Sequence, residues 1–275
     1  MTASEALRRH WPEYLIEGWA LGMFMIAAGV VATLLEYPGS PVHAGLPDAS
    51  VRRIIAGMAM GLTAIGLIYS PWGKRSGAHM NPSVTVTFLI LGKVRAWDAL
   101  FYVLAQFLGG TAGVLFVLGL IGAPFSEPPV RLAATLPGPA GSWAAFTAEL
   151  AISAGMMATI LTVSGSRRIA SLTGIVAGCL VATYISLEAP LSGMSMNPAR
   201  SFASAVPALM WRSLWIYFTA PVAGMLAGAQ LYRLSRRRVA CAKLVHPPEV
   251  RCIHCGYEPR AAGALSIPTP RSLHP

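Results

Sequence analysis

The sequence predicts an all-α membrane protein in which six transmembrane helices and two re-entrant half-helices form an inverted repeat. Three observations predict it. The chain of 275 residues is 55% hydrophobic and only 12% charged, with a mean hydropathy of +0.57, a balance outside that of ordinary soluble domains. Six apolar stretches are of the size, roughly 20 residues, that a helix needs to cross about 30 Å of hydrocarbon. Two shorter apolar runs open with the same Asn-Pro dipeptide at matching points of the two halves.

The first stretch, near 14–35, follows Arg8 and Arg9 and carries Glu17. Its length and its internal carboxylate distinguish it from a cleavable secretory signal, so it is read as a retained span. Further spans are expected near 54–70, 99–122, 143–163, 169–187 and 214–234. The Pro- and Gly-rich connections at about 36–51 and 123–141 read as external loops. Basic residues mark alternate connections: Arg8 and Arg9, then Lys74, Arg75, Lys93 and Arg95, then Arg167 and Arg168, then Arg233 and Arg236 to Arg238. By the positive-inside rule both termini are expected in the cytoplasm, although Arg52, Arg53, Arg131 and Arg212 fall on the other side; the membrane expected is the plasma (inner) membrane. The net charge of +10 is thus accounted for by orientation in a lipid bilayer; it forms no single patch, and nucleic acid is not an expected partner.

Between the second and third spans lies the short run Val84 to Leu91, and between the fifth and sixth lies Phe202 to Met210. At 1.5 Å per residue neither crosses a bilayer as a helix; each reaches about halfway. Each half therefore contributes three full spans, an odd number, and the second half enters the membrane inverted relative to the first. The two short runs approach each other from opposite faces. Their openings are Ser76-Gly77-Ala78-His79-Met80-Asn81-Pro82-Ser83 and Ser192-Gly193-Met194-Ser195-Met196-Asn197-Pro198-Ala199-Arg200, and they hold the only two Asn residues of the chain. Asn before Pro is a good helix start, because the amide oxygen caps an orphan N–H and Pro has none to leave unpaired. One such start is merely a capped helix. Two, facing each other, aim two positive dipole ends at one point and exclude cations from it. The Asn amides can then hold a passing water by its oxygen, with both hydrogens turned outward, so that no proton is relayed. Non-helical backbone at that depth is tolerated only where protein buries it or where it lines a wet cavity.

Over about residues 12–235 the chain resembles the major intrinsic protein family, the aquaporins and glycerol facilitators. The resemblance rests on both Asn-Pro motifs, on Glu17 and Glu149 at the places of the family's buried glutamates, on Gln106 in Ala105-Gln106-Phe107-Leu108-Gly109, on His79 beside the first motif, and on Pro221. It implies that the glutamates accept hydrogen bonds from the re-entrant loops, consistent with the cost of leaving a carboxylate in hydrocarbon. His79 is expected to pack and hydrogen-bond, with a pH gate as the alternative. Ser83 departs from the family's usual Asn-Pro-Ala, and a hydroxyl there can bond back within its helix or turn toward the pore and shift solute preference. Asn81, Pro82, Ser83, Asn197, Pro198 and Ala199 are thereby the expected pore motifs.

By the same resemblance Arg200 is the selectivity Arg, excluding cations and donating to solute oxygens. Its implied partners are Met60, Ile185 and Met194, with Gly61 the alternative to Met60 because the following loop is one residue longer than usual. Ile185 stands where strict water channels carry His, which favours bulkier neutral solutes. Ser201, Ala205 and the pair Tyr217 and Phe218 resemble the water-channel pattern, and Ser201 replaces the Asp of glycerol facilitators. The expected function is a passive water channel, with polyols or metalloid acids as the broader alternative. Family resemblance also implies a homotetramer with one pore per subunit.

No nucleophile, base or metal constellation falls within the spans, and His43, Asp48 and Asp98 sit in predicted loops without partners, so neither an enzyme nor a cofactor is expected. A secondary transporter would need coupling carboxylates, and Glu17 and Glu149 are better explained as loop anchors. The channel domain is expected over 1–235, with halves at about 12–122 and 143–235. The remainder, 236–275, reads as a solvated basic cytoplasmic tail. Within it Cys252 and Cys255 have metal-ligand spacing, and a tetrahedral site would need Cys241, His246 or His254 to complete it.

Overall fold

The computed structural model describes residues 1–235 and 238–259; Arg236, Arg237 and residues 260–275, parts of the predicted basic tail, lie outside the described residues. The first half holds α1 (Ala3–Glu36), the short α2 (Pro41–Gly45), α3 (Ala49–Tyr69), the short α4 (Pro71–Ser76), α5 (Pro82–Ile90) and α6 (Ala96–Ile121). After α7 (Ala123–Ser126) the second half holds α8 (Ser142–Ser164), α9 (Thr173–Ser192), α10 (Pro198–Ala208) and α11 (Leu214–Leu234). Among the described residues there is no strand. α1, α3, α6, α8, α9 and α11 are the six helices long and apolar enough to cross a membrane.

The half-helices α5 and α10 have 9 and 11 residues, about 13 and 16 Å at the helical rise, and each begins at its Asn-Pro dipeptide. α1 extends well ahead of its predicted apolar stretch. Thr2 and Glu5 close a capping box at its start, and the helix continues through Pro12. The connections read as loops carry α2, α7 and a 3-10 turn at Arg131–Ala133.

Small residues set how closely the spans approach. α1 lies against α6 with backbones nearly touching: a Cβ at Gly109 would stand 2.0 Å from the Gly18 carbonyl oxygen, and one at Gly113 would stand 2.4 Å from that of Gly22. The inverted counterpart is α8 against α11, where Gly224 and Gly228 face the carbonyls of Leu150 and Ala154. Between the halves, α3 meets α9 through Gly57, Gly61 and Gly178. Large apolar side chains meanwhile face outward, with Leu108, Leu120 and Leu187 at least 70% exposed, as a hydrocarbon solvent allows.

The re-entrant loops are fixed by two fully buried carboxylates. Glu17 accepts from Ser76 Oγ (2.7 Å), the His79 amide (3.0 Å), the Met80 amide (2.6 Å) and Gln106 Nε2 (2.9 Å). Glu149 accepts from Ser192 Oγ (2.8 Å), the Ser195 amide (2.6 Å) and the Met196 amide (2.7 Å). The serine carbonyls are held in turn by tyrosine hydroxyls, Tyr102 on Ser76 (2.7 Å) and Tyr217 on Ser192 (2.5 Å). Against these bonds stands backbone strain: Ala78, Met80, Met194 and Met196 all adopt positive φ between 49° and 55°, a conformation that costs a non-glycine residue roughly 1–2 kcal/mol.

Two expectations need correction. Asp98 is not a partnerless loop residue; it lies buried in the first turn of α6, and its Oδ1 bonds His10 Nδ1 (2.7 Å) and the Tyr14 hydroxyl (2.6 Å). Nor is the described part of the tail solvated throughout, although residues such as His246, Glu249, Arg251 and Cys255 are exposed. Ala242, Leu244 and Val245 are buried and join the apolar core formed by Ile68, Ala78, Val84 and Phe88. The remaining polar loop residues cap and tether: Asp48 caps α3, and His43 Nδ1 donates to the Leu35 carbonyl (2.8 Å).

Two outcomes follow for stability, both read as thermal unfolding in detergent. Glu17→Gln exchanges one acceptor oxygen for a donor beneath several N–H and O–H groups, and destabilises by about 3 kcal/mol. Gly109→Ala forces α1 from α6 and costs about 2 kcal/mol, whereas Gly119→Ala, where an added Cβ meets nothing within 4 Å, changes stability by less than about 1 kcal/mol.

Candidate functional site

A cavity of about 480 Å³ runs along the inside of the bundle. At the end away from the termini Leu35, Glu36 and Arg53 border it, and at the other end it reaches Leu244. The re-entrant segments supply Ala78 to Asn81 from one half and Gly193 to Asn197 from the other. These are the stretches whose amides are drawn onto the two glutamates, so one edge of each loop is anchored and its other edge borders the cavity.

The half-helices meet head to head. Asn81 Oδ1 accepts from the Ser83 amide (2.8 Å), and Asn197 Oδ1 accepts from the amides of Ala199 (3.1 Å) and Arg200 (3.2 Å), so each Asn caps its own helix. Each Nδ2 then reaches across: Asn81 donates to the Met196 carbonyl and Asn197 to the Met80 carbonyl, both at 2.7 Å. An amide nitrogen carries two hydrogens. One on each Asn is spent on the opposite loop, and the other remains for whatever occupies the cavity beside them. Pro82, Pro198 and Ala199 are buried in the first turns, where Pro leaves no orphan N–H.

Arg200, Met60, Ile185 and Met194 all border the same cavity. Met60 rather than Gly61 does so, because Gly61 presses against the Gly178 carbonyl of α9. The Arg200 guanidinium is held from one side by Nη1 donating to the Ala133 carbonyl (2.8 Å). Sequence reasoning missed this partner. Arg131, Leu132 and Ala133 all take positive φ, and nothing in their identities announces it.

Ser83 neither bonds back within its helix nor turns to the cavity; it is fully buried, and its Oγ has no hydrogen-bond partner among the described residues. Gln106 bridges Glu17 and Thr85 Oγ1 (3.2 Å). His79 is buried between Thr85, at 3.0 Å from Nδ1, and the Ala242 carbonyl, at 2.8 Å from Nε2. A carbonyl only accepts, so Nε2 carries the hydrogen. His254 stacks on the His79 ring at 5.7 Å between centroids, which turns it away from the tail cysteines. Of the residues considered as completing partners for Cys252 and Cys255, the fold brings Cys241 and His246 to them.

The family model for the major intrinsic protein matches residues 7–232. A probable aquaporin NIP7-1 of Arabidopsis thaliana is 32% identical over 238 residues, which are 86% of this chain and 82% of that protein. Aquaporin NIP2-3 of Zea mays is 33% identical over 220 residues, 78% of this chain and 70% of that protein. Among solved structures, the aquaglyceroporin from Plasmodium falciparum superposes with a TM-score of 0.66 at 21% identity, over 81% of this chain and 95% of that one, and so shares its fold. A head-to-head pair of Asn-capped half-helices inside six apolar spans, matched along most of the sequence, is a membrane channel for water or small solutes and no enzyme: the chain belongs to the major intrinsic protein family.

Proposed function

We propose that the chain is a passive water channel. The observation that carries the reading is the free amide hydrogen on each of Asn81 and Asn197, side by side at the junction of two helix N-termini. A water accepting from both amides directs its own hydrogens toward the two mouths, and the two positive dipole ends repel cations at the same point. Arg200 adds a second positive barrier nearer the mouth away from the termini. Its bond to Ala133 leaves further guanidinium donors for a solute oxygen.

A broader reading, in which glycerol, other polyols or metalloid acids also pass, is favoured by one feature. Around Arg200 the ring is completed by Met60, Ile185 and Met194, which offer no second hydrogen-bond donor and whose methionines adapt to bulk. The charge pattern supports an orientation with the terminus-bearing face in the cytoplasm, in the plasma membrane. The family membership supports a homotetramer with one pore per subunit.

Stopped-flow shrinkage and swelling of proteoliposomes tests the permeant. Osmotic water flux well above that of bare lipid is expected, and its absence sinks the water reading. Ile185→His places a donor and a ring beside Arg200, and is expected to lower glycerol entry relative to water entry several-fold. Ser83→Ala removes a buried hydroxyl without a partner; it is expected to leave the glycerol-to-water ratio unchanged and to raise stability by about 1 kcal/mol.

A further inference from the structure

The segment after α11 folds back over the terminus-bearing mouth. The Ala242 carbonyl accepts from His79, the Leu244 amide donates to the Gly77 carbonyl (3.2 Å), and Lys243 Nζ donates to the carbonyls of Lys74 (2.9 Å) and Arg251 (2.8 Å). Leu244 borders the 480 Å³ cavity of the site, and it also borders a second cavity of about 590 Å³ between the tail and Tyr69, Lys74 and Ser171. One apolar side chain is thus common to the walls of both cavities. An apolar side chain held in a pore mouth obstructs it by excluding water.

Beside this segment the tail gathers Cys241, His246, Cys252 and Cys255, whose ligand atoms all lie within 4.8 Å of one another. The two sulfurs of Cys241 and Cys252 are 3.4 Å apart, and His246 Nε2 is 3.2 Å from Cys255 Sγ. The edges of a tetrahedron with metal–sulfur bonds of about 2.3 Å and metal–nitrogen bonds of about 2.0 Å are about 3.5–3.8 Å, so the cluster needs only small adjustments to enclose an ion. Its backbone is shaped accordingly. Cys252 to Gly256 form a turn closed by the Gly256 amide on the Cys252 carbonyl (3.0 Å), with Gly256 at φ +73°. Three thiolates and a neutral imidazole around a divalent ion leave one negative charge, which the buried Lys243 ammonium offsets.

We propose that Cys241, His246, Cys252 and Cys255 form a tetrahedral site for a borderline-soft divalent cation of the zinc type, and that the bound ion clamps Leu244 in the terminus-bearing mouth of the channel. Three ligands lie beyond Leu244 in sequence and one lies before it, so the ion closes a loop that contains the plugging residue. Loading therefore holds the mouth shut, and stripping frees the segment. The clamp rests on the channel reading; the metal site does not.

The test uses the full chain, purified under reducing conditions without a polyhistidine tag, incubated with zinc and desalted. One equivalent of zinc per chain is expected. With cobalt in its place, ligand-field bands of tetrahedral coordination and thiolate-to-cobalt charge transfer are expected, and all of these are lost in Cys252→Ser/Cys255→Ser. Sub-stoichiometric zinc, zinc content unchanged in the double variant, or recovery of the chain mainly as a Cys241–Cys252 disulfide overturns the site. In proteoliposomes, chelator-stripped protein and Leu244→Gly are expected to conduct water several-fold faster than zinc-loaded protein. Equal flux in the three forms, zero included, overturns the clamp, while the zinc content still decides the site whichever solute passes.

Discussion

The fold depends on two carboxylates placed where a carboxylate is most expensive. Glu17 and Glu149 are fully buried inside helices that face hydrocarbon on their outer side, and each is tolerable only because loop donors converge on it. The dependence runs both ways. Loop backbone at that depth has no ladder to join, so its amides need an acceptor. Four residues in left-handed conformation would relax without one. Carboxylate and loop are each unstable alone and stable together, and the half-helices and their asparagines inherit their positions from that pairing.

The repeat extends further than the Asn-Pro words. Ser76 and Ser192 give hydroxyls to their glutamates and carbonyls to Tyr102 and Tyr217, so a glutamate, a serine and a tyrosine recur in each half with the same bonds. The serines stand in the repeated words, and the tyrosines lie at nearly equal distances beyond them, yet Tyr102 carries no local mark of its role. Symmetry in sequence would have pointed to it where periodicity could not.

Spans, half-helices and the glutamate anchors were legible because each rests on a rule that acts locally or through strong cost: span length, Asn-Pro capping, charge in hydrocarbon. Three things were not. Arg200 is held by a carbonyl of Ala133, and a backbone acceptor has no sequence signature. Asp98 finds His10 and Tyr14 across a helix contact that spacing does not reveal. The tail resembles a solvated segment in its Pro, Arg and His content, and only the fold shows that Ala242, Leu244 and Val245 meet the core together. Met60 was separated from Gly61 for a similar reason: the close contact of α3 with α9 leaves room for hydrogen alone at the glycine.

The two-fold pattern breaks at the residue two before each asparagine. His79 occupies it in the first half and binds the folded-back segment, whereas Ser195 occupies it in the second and bonds Ser201 Oγ (2.6 Å) and the Asn197 carbonyl (3.0 Å). The two entrances are consequently unlike in shape and in exposed chemistry, although the centre between them is nearly symmetric. A passive conduit cannot turn such polarity into net pumping, since detailed balance fixes the ratio of opposed fluxes. It can only make the pathway sided toward molecules that bind without crossing, so that a blocker fitted to one vestibule has no counterpart at the other.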